Sequence, residues 1–196
     1  MQPCAFLSAP ALQGNYAKLR AQGLDGALDL RADAWGHGAD FVTAQLPEAV
    51  GAQGMMMDNR LLLGLAQGCE PVMMLQGVVL STKKLSAGEG VSYGYTYRAE
   101  RDTTVALVTG GYAHGIVRAL GNNAAVSYGE PRFPIVGRVA MDVCVIETGD
   151  FELQLGARVM FFGPEHPIQL WEHATGFTSA ELVTACGLHA QRAGTA

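Results

Sequence analysis

Two rhythms of apolar residues divide the chain. In residues 9–22, Leu12, Tyr16 and Leu19 recur at three- and four-residue spacing, which predicts a helix. Ser8 is placed to cap it, Pro10 stands in its first turn and Gly23 marks a stop. Residues 28–32 read as a short strand and residues 33–38 as a loop. Residues 41–50 read as a helix, with Pro47 breaking its middle. Met55, Met56 and Met57 form a short apolar strand candidate, Asp58 is an N-cap for a helix over 60–67, and residues 70–75 make a third apolar strand. Helix and strand alternate, the order expected of parallel strands covered by helices.

From Val78 onward the rhythm changes. Short β-branched runs at 78–82, 103–109, 124–128 and 139–147 are separated by Gly, Pro and Asn, the signature of strands and turns. Residues 127–131 predict a hairpin turn in which Gly129 supplies a positive φ. Residues 151–162 read as further strand around a turn at Gly156. Residues 170–173 and 179–186 read as short helices, the second ending at Gly187. The tail, 193–196, is expected to fray. The fold class predicted is α+β and mainly β.

Composition narrows this picture without redirecting it. The chain has 196 residues, 49% apolar and 16% charged, which describes a soluble globular protein with a sizeable core. A net charge of −5 argues against nucleic acid or an anionic membrane as partner. No apolar run approaches the ~20 residues of a membrane helix, and the first residues lack the basic-then-apolar plan of a secretory signal. A cytoplasmic location is therefore expected. Cys4, Cys69, Cys144 and Cys186 are scattered and suggest buried thiols, not a zinc site or disulfide framework. His37, His114, His166, His173 and His189 show no metal-ligand spacing. The Gly-rich clusters lack the context of a phosphate loop.

Three marks carry the chemistry: Gly88-Glu-Gly-Val-Ser-Tyr-Gly94, Gly110-Gly-Tyr-Ala-His-Gly115 and Val136-Gly-Arg-Val-Ala-Met-Asp142. In this order and at about this spacing they resemble the C-terminal β domain of alanine racemases, pyridoxal-phosphate (PLP) enzymes of fold type III. The resemblance reaches back to Val79 and forward to about Arg192. It also touches the first half, where Arg31-Ala-Asp-Ala-Trp-Gly-His-Gly38 is similar to the signature that ends the first strand of the family's barrel. The implied organisation is a shortened α/β remnant at 1–77 and a racemase-type β domain at 78–192. About three strand-helix units precede residue 78, whereas a closed (β/α)8 barrel needs eight and typically ~250 residues, so the remnant is expected not to close. It is left to pack on the β domain, pair with another chain or be partly disordered, with residues 70–77 also open to joining the β sheet.

The resemblance also assigns roles. Arg31 stands where the family's lysine forms the Schiff base with PLP. A guanidinium with pKa above ~12 cannot supply the neutral amine for an imine, so Arg31 is expected to be a salt-bridging or solvent-facing residue. Trp35 and Ala180 stand where the family has tyrosines. Tyr93 matches the family's acid/base tyrosine, which works on the partner subunit's cofactor; the plainer alternative is a loop tyrosine with a packed ring. Tyr112 matches the tyrosine that narrows the substrate entrance. His114 replaces an aspartate and is either a new acid/base group or a surface histidine. Met141 and Asp142 match the pair whose backbone amide receives the substrate carboxylate, leaving open either a small anion site or a core methionine with a turn aspartate. Arg138 and Arg118 are matched motif residues, expected in ion pairs more than as ligands.

The function expected is that of a degenerate alanine-racemase-like protein that neither binds PLP covalently nor racemises alanine. It would be a small-molecule-binding or interaction module, a homodimer, with a small anionic or amino-acid-like ligand. Two alternatives stand beside it. One is a cofactor-independent enzyme doing isomerase- or cyclase-type acid/base chemistry with Tyr93, Tyr112 and His114; the other is a trans-acting partner of a full-length alanine racemase.

Overall fold

In the computed structural model, residues 2–195 are described. Strand β1 (Cys4–Ser8) leads into helix α1 (Ala9–Ala21). Ser8 caps the helix as its side-chain oxygen accepts from Ala11 N at 3.2 Å. Next come α2 (Arg31–Trp35), α3 (Ala39–Gln45) and α4 (Asn59–Leu62). The long strand β2 (Met73–Leu85) follows, then β3 (Gly90–Val91), β4 (Tyr97–Arg98), β5 (Thr103–Thr109), β6 (Ala125–Ser127), β7 (Arg132–Val136), β8 (Val143–Glu147) and β9 (Arg158–Phe162). The chain ends with α5 (Gln169–Thr175), α6 (Ser179–His189) and β10 (Gln191–Thr195).

Strands β2, β5, β8, β7, β6 and β9 follow one another in hydrogen-bonded order, and β9 returns to β2, closing a six-strand antiparallel barrel. β2 makes closure feasible by serving two sides. Its first half pairs with β1 and β9, its second half with β5, and register shifts at 75/76 and 79/81 turn it between them. Its residues alternate buried and half-buried from Met73 to Leu80, the period of a strand with one face on the core. β1 and β10 extend this sheet past β2 as a parallel pair.

Three apolar clusters fill the molecule, the third a small one of Leu85, Ala99, Val105 and Val136. The largest holds the barrel interior together with α5 and α6: Trp171 is fully buried, edge-on to Phe161 and Phe162 at 6.2 and 5.3 Å between ring centroids. The second lies under α1, where Leu12, Tyr16, Leu46, Leu62 and Val72 meet. Buried Asn15 ties this cluster's loops together. Its Nδ2 donates to Leu62 O and Glu70 O, and its Oδ1 accepts from Glu70 N at 3.0 Å.

The β half follows the sequence pattern. Ser127 pairs with Arg132 across the predicted hairpin turn, and Gly129 has φ +62°. The expected break at Pro47 is also present, as α3 stops at Gln45 and a single 3-10 turn covers Pro47–Ala49. The first half departs from its pattern. The strands expected at 28–32 and 55–57 reduce to one parallel bridge between Ala27 and Met56, because Ala32, Asp33, Ala34 and Trp35 all turn left-handed with φ between +50° and +57°. The helix expected over 60–67 stops at Leu62; Leu65 N bonds back to Arg60 O and turns the chain. The third strand does join the β sheet, antiparallel, and runs unbroken through residues 77 and 78 as part of β2.

Three further expectations are corrected. Residues 4–8, which carry no strand signal of their own, pair with residues 191–195 in register, so Ala193 and Gly194 are part of a strand instead of a frayed tail. The strand expected over 151–162 is halved, since only β9 is strand. Gly187 does not end α6. It is where the helix meets the N-terminal turn: a Cβ there would lie 2.2 Å from Gly36 O, a distance no side chain tolerates.

Candidate functional site

The loop between β2 and β5 is tied down at its base, with Gly88 N bonding Ala99 O and β3 pairing with β4. Its tip is a 3-10 turn at Tyr93–Tyr95, entered through Ser92 at φ +66°. Ser92 Oγ donates to Arg138 O at 2.7 Å, which brings the first and third sequence marks together. The Arg138 guanidinium then lies over Gly94, where a Cβ would come within 3.3 Å of Nη1. The result is an open groove of about 560 Å3 walled by Tyr93, Tyr95 and Arg138 over a floor that includes Leu107, Ala140 and Val143. Tyr93 is 71% exposed and Tyr95 63%, with the Tyr95 ring laid against Gly90 and Arg98. The larger recess beside Tyr97 and Arg98, about 810 Å3, contains none of the candidate residues.

The second mark folds against the third. Gly110 N donates to Asp142 O, Tyr112 N to Ala140 O and Ala113 N to Met141 O, so three consecutive backbone carbonyls hold the 110–113 segment. Tyr112 is half exposed, with the Arg118 guanidinium 5.6 Å from its ring centre. Met141 and Asp142 are both exposed, which corrects the reading of Met141 as core. His114 corrects another expectation. It is buried, not a surface histidine, and its Nδ1 accepts from Gly111 N at 3.3 Å. Burial pushes the His114 pKa down, with His189 adding to this and Asp142 opposing it. The candidates therefore fall into two neighbouring groups joined through Ala140. Tyr93 and Arg138 line the groove, and Tyr112, His114, Met141 and Asp142 sit on the stitched loops. No one cavity encloses Tyr93, Tyr112 and His114 among the pockets described.

Arg31 lies at the start of the left-handed turn. Its Nε and Nη2 reach the two oxygens of Asp29 at 2.8 and 2.7 Å, a fork-on-fork pair. The Arg31 side chain is 79% exposed and that of Asp29 only 5%. The guanidinium hydrogen bonds hold the Asp29 carboxyl below its ordinary range, and the Trp35 side chain also bonds it. Asp29 is the site residue that sequence reasoning missed; a carboxylate between Leu28 and Leu30 in an apolar run was the available signal. Ala180 sits in the first turn of α6, behind a cap in which Thr178 and Glu181 bond each other reciprocally. Among the described residues no cluster of His, Cys, Asp and Glu is arranged to hold a metal ion.

A closed β barrel carrying all three marks on adjoining loops defines the class of domain. The family model described as "Alanine racemase, C-terminal domain" matches residues 72–193, and the chain belongs to the alanine racemase family through that domain. An alanine racemase of Salinispora arenicola (strain CNS-205) is 40% identical over 124 residues, covering 61% of this chain and 33% of the relative. One from Frankia casuarinae is 39% identical over 131 residues, 65% of this chain and 34% of the relative. The chain thus spans about a third of the length of these curated relatives. Among solved structures, alanine racemase from Bacillus anthracis with bound L-Ala-P superposes with TM-score 0.60 at 31% identity, over 65% of this chain and 34% of that one. Alanine racemase from Bartonella henselae with covalently bound pyridoxal phosphate gives TM-score 0.83 at 15% identity, covering 100% of each chain, a likeness of fold.

Proposed function

We propose that this chain is a degenerate alanine-racemase-like protein that has given up covalent PLP chemistry and serves as a small-molecule-binding or interaction module. The observation that carries the reading is the Arg31–Asp29 pair. A guanidinium held in a two-pronged bond to a carboxylate has no lone pair to offer an aldehyde, so the residues present do not fit a Schiff-base cofactor. Trp35 and Ala180 at the tyrosine positions support the same reading. Residues 1–77 would then be the shortened remnant and 78–192 the working domain, in a cytoplasmic protein.

The ligand proposed is a small anion or amino-acid-like molecule held by Arg138 and the backbone amides of residues 141–142. The exposure of Tyr93 beside this groove favours a second reading of the same face, in which Tyr93 meets another chain: a second copy in a homodimer, or a full-length racemase. The cofactor-independent enzyme gains no such support, because buried His114 and exposed Tyr93 do not converge. Adding pyridoxal phosphate and reducing with borohydride tests the central reading. The expected result is no reducible imine band and no D-alanine from L-alanine; either one would overturn it.

A further inference from the structure

The amides from Gly110 to Ile116 build the turn that carries Tyr112, and all but one donate to backbone carbonyls. Gly110 N bonds Asp142 O, Tyr112 N bonds Ala140 O, Ala113 N bonds Met141 O, His114 N and Ile116 N both bond Gly111 O, and Gly115 N bonds Tyr112 O. The exception is Gly111, whose N–H donates to the imidazole Nδ1 of His114 at 3.3 Å. Gly111 is the N-cap of the 3-10 turn Tyr112–His114, so His114 reaches back to the cap amide as the return arm of a capping box. Glu or Gln ordinarily takes that place. A glutamine oxygen accepts whatever the pH, whereas an imidazole nitrogen accepts only while it is unprotonated.

This bond fixes where the ring carries its proton. Nδ1 accepts, so the neutral ring holds its hydrogen on Nε2. A second proton makes both nitrogens donors and sets Nδ1–H against Gly111 N–H. Gly111 is buried, and a buried amide without an acceptor is costly. The ring meets charge from two sides. Burial is the largest influence and favours the neutral form; Asp142 on the third mark favours the charged form, and His189 at the end of α6 opposes it. Cys186 of α6 also faces the turn, as a thiol pushed up to about 12 by burial that donates to Gly115 O at 3.4 Å. It stays neutral throughout the range in which a histidine titrates.

We propose that His114 is an acid-sensitive latch on the Tyr112 turn: the neutral ring holds the Gly111 amide, and the imidazolium lets it go. The latch is closed at neutral pH. Because the fold favours the neutral ring, it opens only below the ordinary histidine range near ~6.5. The carbonyl-bonded amides on either side stay in place, so the change is confined to the turn and to whatever meets Tyr112. It does not depend on what the Tyr93–Arg138 groove binds.

The test is a nitrogen-15 NMR titration of the full chain, taken downward from pH 7 for as long as circular dichroism reports the fold intact. At pH 7 the His114 ring should carry its proton on Nε2 alone. On acidification the Gly111 amide should shift with the same midpoint as that ring. His114→Asn places an amide oxygen near the position of Nδ1 and cannot gain a proton there, so Gly111 should keep its bond and lose the titration. A ring protonated on Nδ1 at pH 7 overturns the proposal. So does a Gly111 midpoint different from that of His114, or a Gly111 amide that stays still until the whole chain unfolds. A Gly111 titration that survives in His114→Asn overturns it as well. Should that variant fail to fold, agreement or disagreement of the two midpoints in the parent chain decides the matter.

Discussion

At position 31 two explanations for the proposed loss of cofactor chemistry can be separated. If the missing amine were the whole reason, Arg31→Lys would restore an imine. A lysine there would sit on an exposed turn, since the present side chain is 79% exposed, with nothing around it like an enclosing barrel. The expected outcome is that Arg31→Lys, incubated with pyridoxal phosphate, gives no reducible band beyond that of other surface lysines such as Lys84, read by peptide mapping after borohydride. Buried histidines set a second expectation. Burial holds His37 down to about 4, and His114 and His166 are shifted in the same direction. The unfolded chain, with histidines near ~6.5, then binds more protons than the folded one between those values. Stability is accordingly complete above about pH 6.5 and falls as the pH drops toward 4, with His37 alone contributing on the order of 3 kcal/mol. Urea unfolding at pH 7, 6 and 5 checks this, and His37→Gln should flatten the slope. Arg31, Trp35 and Ala180 were legible as departures because each is a substitution within a motif. Asp29 left only the signal of a carboxylate within an apolar run, and the unmet Nε2 of His37 left none, since burial and orphaned atoms arise only when distant segments close over them.

Among elements, α6 shows how a close approach can reverse a local preference. Glycine inside a helix ordinarily costs about 0.5–1 kcal/mol relative to alanine, so Gly187→Ala would stabilise an isolated α6. Here the new Cβ would collide with Gly36 O and Cα, and prying α6 from the N-terminal turn outweighs the helical gain. Gly187→Ala is expected to lower stability by about 1–3 kcal/mol, seen as a fall in Tm, whereas Gly14→Ala in α1, with no atom within 4 Å of its Cβ, should raise it. Any rise in Tm for Gly187→Ala would refute the contact. This also explains why the sequence misled at Gly187: a glycine near a helix end looks like a stop, and only the packing partner reveals its use. By contrast α1 was readable because its cap, its apolar spacing and its proline are all local. The pairing of β1 with β10 joins residues nearly 190 apart in sequence, and no local pattern announces such a partner. The left-handed turn was equally hidden, as Ala, Asp and Trp do not ordinarily adopt positive φ.

For the molecule as a whole, the barrel closes through β2 and β9, and its core is sealed by α5 and α6, with Phe41 packed against it from the first half. Stability and the exposed tyrosine face are therefore separable. Tyr93 and Tyr95 contribute little to folding because they leave most of their surface in water, yet large amphipathic side chains exposed beside an apolar floor are the kind of surface that associating chains bury. If the proposed homodimer forms across the groove, Tyr93→Ala should leave the unfolding midpoint within about 0.5 kcal/mol of the parent chain while weakening the dimer by about 2 kcal/mol, the loss of a central aromatic contact. Light scattering over a dilution series reads the second quantity, and urea unfolding at a concentration where both forms are monomeric reads the first. A parent chain that is monomeric at every concentration would remove the homodimer and leave the full-length racemase as the partner to mix in. A Tyr93→Ala variant that dimerises as well as its parent would instead move the interface elsewhere. Because Tyr93 lies outside all three buried clusters, a change in association here cannot be put down to a damaged core.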